Sequence, residues 1–337
     1  MDVEQTEEAG FRPTGPVDPL AAQIAAFFSA TPLSTAPIEM TREALRAACA
    51  MTGEPAMAVV AGHAVPVKDG EIALRWYMPH GGARAVIVWA HGGGFALGTL
   101  DEIDNFARLL ADRTRCAVAT VDYRLAPEHR FPTAVEDVEA ALRWVIAERA
   151  RLGVPGAPVW IGGDSAGGNL ATVVTRRLHA DGSDEIEGNI LVYPCTDSPD
   201  AASLRRFAPP FMRVEEVTWF LDMYLPEPSA RLHPDFAPLH ADGLDVLPPT
   251  LVVTAEHDII TEQAEAYARA LAEAGVPTEI ERVPGMIHGF LTLDPFLPGA
   301  TTRTIDRMAL HRPAHLRFAG PSGLTTRHGL MMDTLSE

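Results

Sequence analysis

A chain of 337 residues, 47% of them hydrophobic, is long enough to form one large domain with an extensive core. Its formal net charge of −18 at pH 7 would repel phosphate groups, which argues against nucleic acids and anionic membranes as partners. The three cysteines are odd in number and lack metal-ligand spacing, so we expect neither a disulfide framework nor a metal site.

The N-terminal sequence lacks the features of a secretory or membrane-anchoring segment. The chain begins Met1-Asp2-Val3-Glu4, which is acidic where a signal peptide is basic. The apolar residues 21–28 are too few to span a bilayer. We therefore expect a cytoplasmic protein without a stable membrane association.

Two segments fall outside the regular alternation of strand and helix patterns and predict a cap over one end of the sheet. Residues 19–51 contain helix-like runs broken at Pro32 and Pro37. Residues 198–239 are rich in proline and aromatic residues and contain one predicted helix at 215–225.

Between and after these segments, strand and helix patterns alternate along the chain. Short apolar or alternating runs predict strands, and runs with an apolar face of helical period predict helices. In chain order, the predicted elements are strands at 72–77 and 86–90, a helix at 106–113, a strand at 117–121, a helix at 133–152, a strand at 159–161, a helix at 169–180, strands at 190–193 and 250–255, a helix at 262–274 and a strand at 278–283. This alternation predicts an α/β fold with a mostly parallel central sheet and helices on both faces.

The glycine-rich sequence His-Gly-Gly-Gly at 91–94 follows a predicted buried strand. Acyl transfer requires backbone N–H groups directed at the oxygen that becomes negative in the tetrahedral intermediate. Consecutive glycines allow the chain to turn such groups towards a substrate, although alone they indicate only a flexible turn. We predict an oxyanion hole formed by the N–H groups of Gly93, Gly94 and Ala166.

Residues 163–167 form the pentapeptide Gly-Asp-Ser-Ala-Gly at a predicted strand-to-helix junction. Glycines on both sides of Ser165 permit a sharp turn that a Cβ would obstruct. The turn presents the serine hydroxyl above the sheet, at the positive end of the following helix dipole. Ser165 is therefore a candidate nucleophile, although Gly-Ser-Gly turns also occur in loops without chemistry.

A serine hydroxyl needs a neighbouring imidazole to accept its proton, and His288 is the predicted base. It lies in a glycine-bracketed loop that follows a predicted strand. His257 is the rival, but it adjoins the candidate acid, and adjacent residues of an extended segment point in opposite directions. We expect His91 to organise the glycine loop.

The acid that orients the imidazole is expected at the end of another strand. Asp258 follows a continuous apolar run and is the first choice, with Glu256 second and Asp197 third. The order Ser165, Asp258, His288 is the one found on an α/β-hydrolase sheet. All three side chains would then emerge at the carboxyl ends of parallel strands, where open α/β sheets place their sites.

Five motifs together closely resemble the bacterial hormone-sensitive-lipase-like esterases of the α/β-hydrolase superfamily. They are HGGGF at 91–95, DYRLAPE at 122–128, GDSAGGN at 163–169, AEHD at 255–258 and GMIHGF at 285–290. The resemblance covers residues from about 65 to about 297. It implies carboxylic-ester hydrolysis without a metal or organic cofactor, a helical cap, and the roles already given to the serine, aspartate and histidine.

Two departures from the family pattern bear on this expectation. His257 precedes the acid where the family more often has an aromatic residue, which predicts different packing around Asp258. Residues 302–310 begin the terminal helix of the family, but residues 311–337 lack its apolar period and predict an irregular tail. The predicted organisation is a cap segment at 1–55, a catalytic domain at 56–310 with a cap insertion at about 198–239, and a tail at 311–337.

These observations predict a serine carboxylesterase that hydrolyses short- to medium-chain acyl esters, with a small-molecule ester as its partner. The same triad serves amides, lactones and carbamates, which stay open as alternatives. A non-catalytic receptor, like the plant gibberellin receptors that resemble the family, is disfavoured because those proteins lack the catalytic histidine. The oligomeric state stays open, with a homodimer as one alternative.

Aromatic side chains of the cap and of the glycine motif are the candidates for the acyl pocket. The alternative is that they pack the cap onto the sheet. The candidates are Phe28, Phe95, Phe211 and Trp219.

Overall fold

The computed structural model describes residues 12–30, 32–48, 51–293, 296–297 and 299–310, which form an eight-stranded sheet flanked by helices. The strands, in chain order, are β1 (Val59–Val67), β2 (Gly70–Met78), β3 (Val86–Ala90), β4 (Ala117–Asp122), β5 (Val159–Asp164), β6 (Ile186–Val192), β7 (Thr250–His257) and β8 (Thr278–Ile287). Across the sheet their order is β1-β2-β4-β3-β5-β6-β7-β8. The pairs β1–β2 and β2–β4 are antiparallel and the others are parallel, which confirms the predicted α/β fold.

Helices cover both faces of the sheet. They are α1 (Pro19–Ser29), α2 (Ile38–Ala48), α3 (Asp104–Thr114), α4 (Thr133–Glu148), α5 (Ala166–Ala180), α6 (Val214–Tyr224), α7 (Thr261–Glu273) and α8 (Ala300–Leu310). Side chains of β3 alternate between two cores: Val88 belongs to the core that includes residues of α4, α5 and α7, whereas Trp89 belongs to the core that includes residues of α3 and α8. All five residues of β3 are buried, as expected for a central strand covered on both faces.

The main difference from the predicted elements is β1, which the sequence pattern did not indicate. This strand pairs on one side only, with β2, and most of its side chains are exposed or half-buried. It contains Gly62 and Pro66, residues that weaken a strand pattern but are tolerated at a sheet edge. Helix α4 ends at Glu148, four residues before the predicted end, and α5 begins at Ala166, three residues before the predicted start.

The two predicted cap segments contact each other above the sheet. The Leu33 N–H donates to the Glu216 carboxylate on α6 at 3.1 Å, and the rings of Phe28 and Phe211 lie 5.8 Å apart. Within the first segment, Arg42 on α2 donates to main-chain carbonyls of the loops that follow β3 and β4. The predicted domain boundaries stay a prediction, and the tail predicted at 311–337 lies outside the described residues.

Candidate active site

Ser165 alone makes the turn between β5 and α5. Its backbone has φ 55° and ψ −118°, a conformation that L-residues rarely adopt and that stores strain at functional sites. A Cβ on Gly163 would lie 2.3 Å from main-chain atoms of Gly167, and a Cβ on Gly167 would lie 2.0 Å from the Ala90 oxygen. Helix α5 therefore approaches the sheet so closely that both flanking positions require glycine.

The structure brings Ser165, His288 and Asp258 into one hydrogen-bonded chain. His288 Nε2 lies 2.9 Å from Ser165 Oγ, and His288 Nδ1 lies 2.7 Å from Asp258 Oδ2. Asp258 is 1% exposed, and its other oxygen accepts the Ile260 N–H at 3.0 Å. In a neutral imidazole held this way, Nδ1–H donates to the carboxylate and Nε2 is free to accept the serine proton.

The rival residues from the sequence are engaged elsewhere. The Glu256 carboxylate accepts hydrogen bonds from Thr14 of the N-terminal segment, and Asp197 lies 2.6 Å from His240 Nε2. His257 is buried, and its Nε2 has no hydrogen-bond partner among the described residues. Asp258 is therefore the one of the three candidate acids that contacts His288.

His91 is buried in the glycine loop. Its Nδ1–H donates to the Gly92 carbonyl at 2.7 Å, and its ring stacks on Tyr123 at a centroid distance of 4.4 Å. Burial lowers the pKa of His91 to about 4, against the opposing effect of the Gly92 carbonyl. A neutral imidazole in these contacts supports the organising role predicted for His91.

Two of the three predicted oxyanion-hole residues lie at the serine, and Gly93 is not among the described residues that line its cavity. Gly94 and Ala166 line the same cavity as Ser165 and His288. Ala166 is the first residue of α5, so its N–H has no carbonyl partner within the helix. Gly93 and Gly94 have φ values of 112° and 59°, which turn the loop in a way that favours glycine.

Asp164 is a site residue that sequence reasoning did not single out. Its Oδ1 accepts the indole N–H of Trp89 at 3.2 Å and the Gly92 N–H at 3.1 Å, so it ties the glycine loop to the nucleophile turn. Burial raises the pKa of Asp164 to about 6, although both hydrogen bonds and the nearby His288 lower it. Its place directly before Ser165 in the pentapeptide was the signal available in the sequence.

A narrow cavity of about 40 Å³ opens beside the serine hydroxyl. A space of this size holds roughly three water-sized groups. Its lining combines Ser165 and His288 with residues of the glycine loop and of the cap: Gly94, Phe95, Ser165, Ala166, Cys195, Met212, Val217, Phe220, Leu221, Ile260 and His288. Cap residues therefore close one side of the space that faces Ser165.

Of the four predicted pocket residues, Phe95 lines this cavity, where its ring stacks on Tyr224 at 3.9 Å. The other three lie outside the described lining. Trp219 packs at 4.9 Å against Phe220, which does line the cavity. The rings of Phe28 and Phe211 contact each other where the two cap segments meet.

A larger groove of about 540 Å³ lies between the cap insertion and α7, and neither Ser165 nor His288 lines it. Its charged side chains are paired with one another: Arg206 with Glu262, and Arg231 with Asp200. We place the candidate site at the smaller cavity because Ser165 and His288, which both line it, lie within hydrogen-bonding distance of each other.

Comparison with known proteins identifies the family of this chain. A family model described as alpha/beta hydrolase fold matches residues 87–292, a range that contains the glycine loop, Ser165, Asp258 and His288. The chain belongs to the α/β-hydrolase fold family. The predicted family resemblance is thereby confirmed.

Relatives of this α/β hydrolase are esterases. The chain is 35% identical to the carboxylic ester hydrolase LipN of Mycobacterium tuberculosis, over 83% of this chain and 77% of that protein. It is 34% identical to an ethyl acetate hydrolase of Pseudomonas putida, over 69% of this chain and 73% of that protein. Among solved structures, the esterase of Pyrobaculum calidifontis is 34% identical with a TM-score of 0.80, over 90% of this chain and 98% of that chain. The α/β hydrolase is a carboxylic ester hydrolase.

Two further features of the described part of the hydrolase concern membranes and metals. Its helices are each too short or too polar to cross a lipid bilayer. Its described histidine, cysteine, aspartate and glutamate side chains form no group of three that could hold a metal ion.

Proposed function

We propose that this protein hydrolyses short- to medium-chain acyl esters through the triad Ser165, His288 and Asp258 and a covalent acyl-enzyme. The observation that carries the proposal is the continuous chain from Ser165 Oγ through both imidazole nitrogens to the buried carboxylate. A serine in a strained turn, an imidazole and an acid together form the machinery of nucleophilic catalysis.

In the proposed first step, Ser165 Oγ attacks the ester carbonyl while His288 Nε2 takes the hydroxyl proton. Asp258 holds the imidazole in the required tautomer and stabilises the imidazolium that forms. The N–H groups of Gly93, Gly94 and Ala166 are proposed to bind the oxyanion of the tetrahedral intermediate. The intermediate collapses as the ester C–O bond breaks, and the imidazolium protonates the leaving alkoxide.

In the second step, water attacks the acyl carbonyl and His288 accepts its proton. The second tetrahedral intermediate releases the carboxylic acid and returns the proton to the serine oxygen. Deprotonated His288 is needed at the start of both steps, so the buried contact with Asp258 serves both.

The size of the cavity supports the short end of the acyl range in the proposal. Its volume of about 40 Å³ accommodates a small acyl group, and the cap residues Met212, Val217 and Phe220 line the same space. The Pseudomonas putida relative, an ethyl acetate hydrolase, acts on an ester with a two-carbon acyl group.

Replacing Ser165 with alanine tests the proposal. We expect Ser165→Ala to lower kcat on p-nitrophenyl butyrate by about 10⁴-fold or more, and to abolish labelling by a fluorophosphonate probe. Ser29→Ala, in the cap segment, is the matched control and should retain both activities. Near-normal turnover by a folded Ser165→Ala variant would refute the assignment of the nucleophile.

A further inference from the structure

The Glu256 carboxylate accepts four hydrogen bonds from two parts of the chain that are distant in sequence. Its Oε1 accepts the Thr14 N–H at 2.7 Å, the Thr14 hydroxyl at 2.7 Å and the Gly15 N–H at 3.0 Å. Its Oε2 accepts the Gly285 N–H at 2.8 Å. The residue is 2% exposed, so these donors replace water around the carboxylate.

The hydrogen bonds from these donors stabilise the charge of Glu256. Burial would raise the pKa of this carboxyl, but the N–H of Gly285 and the donors of Thr14 and Gly15 hold it at about 2. Among the described residues, the nearest basic side chain is His257, with Nε2 3.9 Å from Glu256 Oε2. Glu256 is therefore ionised at neutral pH, and its contacts depend on the N-terminal segment being in place.

The carboxylate lies where the pairing of β7 with β8 is interrupted. Ala255 pairs with Val283 and His257 pairs with Ile287, so β8 contributes more residues than β7 across this gap. Such a bulge leaves ladder groups unpaired. The Gly285 N–H, which belongs to the extra residues of β8, is satisfied by Glu256 instead of by the β7 main chain.

The N-terminal segment closes the same gap from its other side. The Asp18 N–H donates to the Gly285 carbonyl at 2.9 Å, and a Cβ on Gly285 would lie 3.1 Å from that nitrogen. The Asp18 carboxylate in turn accepts the first N–H groups of α1. Residues 14–18 thus form a clasp across the ends of β7 and β8, and we call them the N-terminal clasp.

Both joined positions lie next to the triad in sequence. Glu256 is two residues before Asp258, and Gly285 is three residues before His288. A change in the spacing of these strand ends moves the acid relative to the base. Displacements of about 1 Å in such contacts cost up to roughly 10²-fold in rate.

We infer that Glu256 is a positioning residue, which joins the N-terminal clasp to Gly285 and so holds the acid and base loops at the spacing that the hydrogen bond from His288 to Asp258 requires. The inference rests on the proposed catalytic role of the triad. It also assigns a function to the start of the cap segment that is separate from covering the substrate.

Two variants weaken the clasp without removing a triad residue. Glu256→Gln keeps the side-chain shape, but its single carbonyl oxygen cannot serve both Gly285 and the Thr14 and Gly15 donors. We expect its kcat on p-nitrophenyl butyrate to fall by about 10- to 100-fold with KM changed less than about threefold. Thr14→Val removes one donor only, and we expect a kcat decrease of about 3- to 10-fold.

A conservative variant, a matched control and a spectroscopic signal separate positioning from general destabilisation. Thr14→Ser keeps the hydroxyl and should restore wild-type kcat. Thr35→Val removes an exposed hydroxyl that donates to the Pro32 carbonyl within its own turn of the cap, and should have no effect. In ¹H NMR, the downfield resonance of His288 Nδ1–H should shift or broaden in Glu256→Gln and Thr14→Val, measured at a temperature where circular dichroism shows both folded.

The inference is overturned if folded Glu256→Gln and Thr14→Val both keep kcat within twofold of wild type with an unchanged resonance. It is also overturned if Thr14→Ser is as slow as Thr14→Val. A Ser165→Ala variant with normal activity would instead refute the proposed function. It would not bear on the contacts that the N-terminal clasp makes with Glu256 and Gly285.

Discussion

At the scale of single residues, the site contains a backbone conformation and a buried carboxyl group that each cost free energy unless neighbouring groups stabilise them. Ser165 adopts a rare backbone conformation. The residue before it, Asp164, is only 4% exposed although it carries a carboxyl group. Such features persist only where the surrounding structure determines them. Here the Trp89 indole and the Gly92 amide both bond to Asp164, and they connect the nucleophile turn to the glycine loop.

The raised pKa of Asp164 predicts a pH-dependent stability. Because its folded pKa of about 6 exceeds the ordinary value of 3.8, the folded state binds this proton more tightly than the unfolded state. The contribution of Asp164 to the free energy of unfolding is therefore fully present below about pH 4, and it is lost as the pH rises through 6. The loss corresponds to roughly 3 kcal/mol.

Asp164→Asn provides the test. Both hydrogen bonds of Asp164 go to Oδ1, so an amide oxygen can accept both. We expect the free energy of unfolding, from urea titrations at pH 4 and pH 7, to fall by roughly 2 kcal/mol more in the wild type than in Asp164→Asn, because part of the total loss has already occurred at pH 4. Equal changes in the two proteins would mean that Asp164 does not titrate as described.

At the scale of elements, the close approach of α5 to the ends of β3 and β5 creates the nucleophile turn. Helix α5 begins immediately after Ser165 because Gly163 and Gly167 leave room for its first turn. Glycine has poor helix propensity, so packing and not propensity decides this helix start. The same contact directs the serine hydroxyl into the cavity.

Two glycine substitutions test the importance of this contact. Gly167→Ala places a Cβ 2.0 Å from the Ala90 main-chain oxygen, which cannot move without shifting β3. We expect a loss of at least ~2 kcal/mol of stability, measured by urea unfolding, together with a large loss of activity. Gly62→Ala, on the edge strand β1, adds a Cβ with nothing within 4 Å and should be neutral or slightly stabilising. Equal stabilities of the two variants would contradict the contact.

At the scale of the whole molecule, the sheet carries a core on each face, and the cap closes over the ends of its strands. Phe220 of α6 lies over the glycine loop, so near that a Cβ on Gly94 would meet its ring at 2.4 Å. The cap insertion is held in turn by α5, where the Asn169 amide donates to the Cys195 and Phe236 carbonyls at 2.7 and 2.6 Å. We therefore expect the cap and the sheet together to set the acyl-chain preference.

Shortening Phe220 should widen the range of acyl groups. We expect Phe220→Ala to raise the ratio of kcat/KM for p-nitrophenyl octanoate to that for the acetate by about tenfold, because the cap then blocks fewer methylene groups. Phe27→Ala is the control, since Phe27 is 77% exposed and should leave the ratio within twofold of wild type. An unchanged ratio in Phe220→Ala would show that this ring does not limit the acyl group.

Much of the fold and the candidate site could be predicted because their signals are local. Alternating apolar patterns depend on neighbours within a few residues, and they were sufficient for seven of the eight strands and most helices. The glycines around Ser165 and in the loop at 91–94 predict, from the sequence alone, that backbone segments approach each other closely there. The order of the candidate nucleophile, acid and base can also be read directly from the sequence. The edge strand β1 was missed because exposed positions and Pro66 leave no such pattern.

Only the tertiary structure decided which long-range partners each polar side chain finds. Asp258 and Glu256 stand two residues apart after the same apolar run, yet one contacts His288 and the other contacts Thr14, some 240 residues away in the chain. The sequence ranked Asp258 before Glu256 as the acid, but no local pattern identified Thr14 as the partner of Glu256. Their partners follow from how β7, β8 and the N-terminal segment pack, because a hydrogen bond forms where packing brings donor and acceptor together, regardless of their separation in sequence.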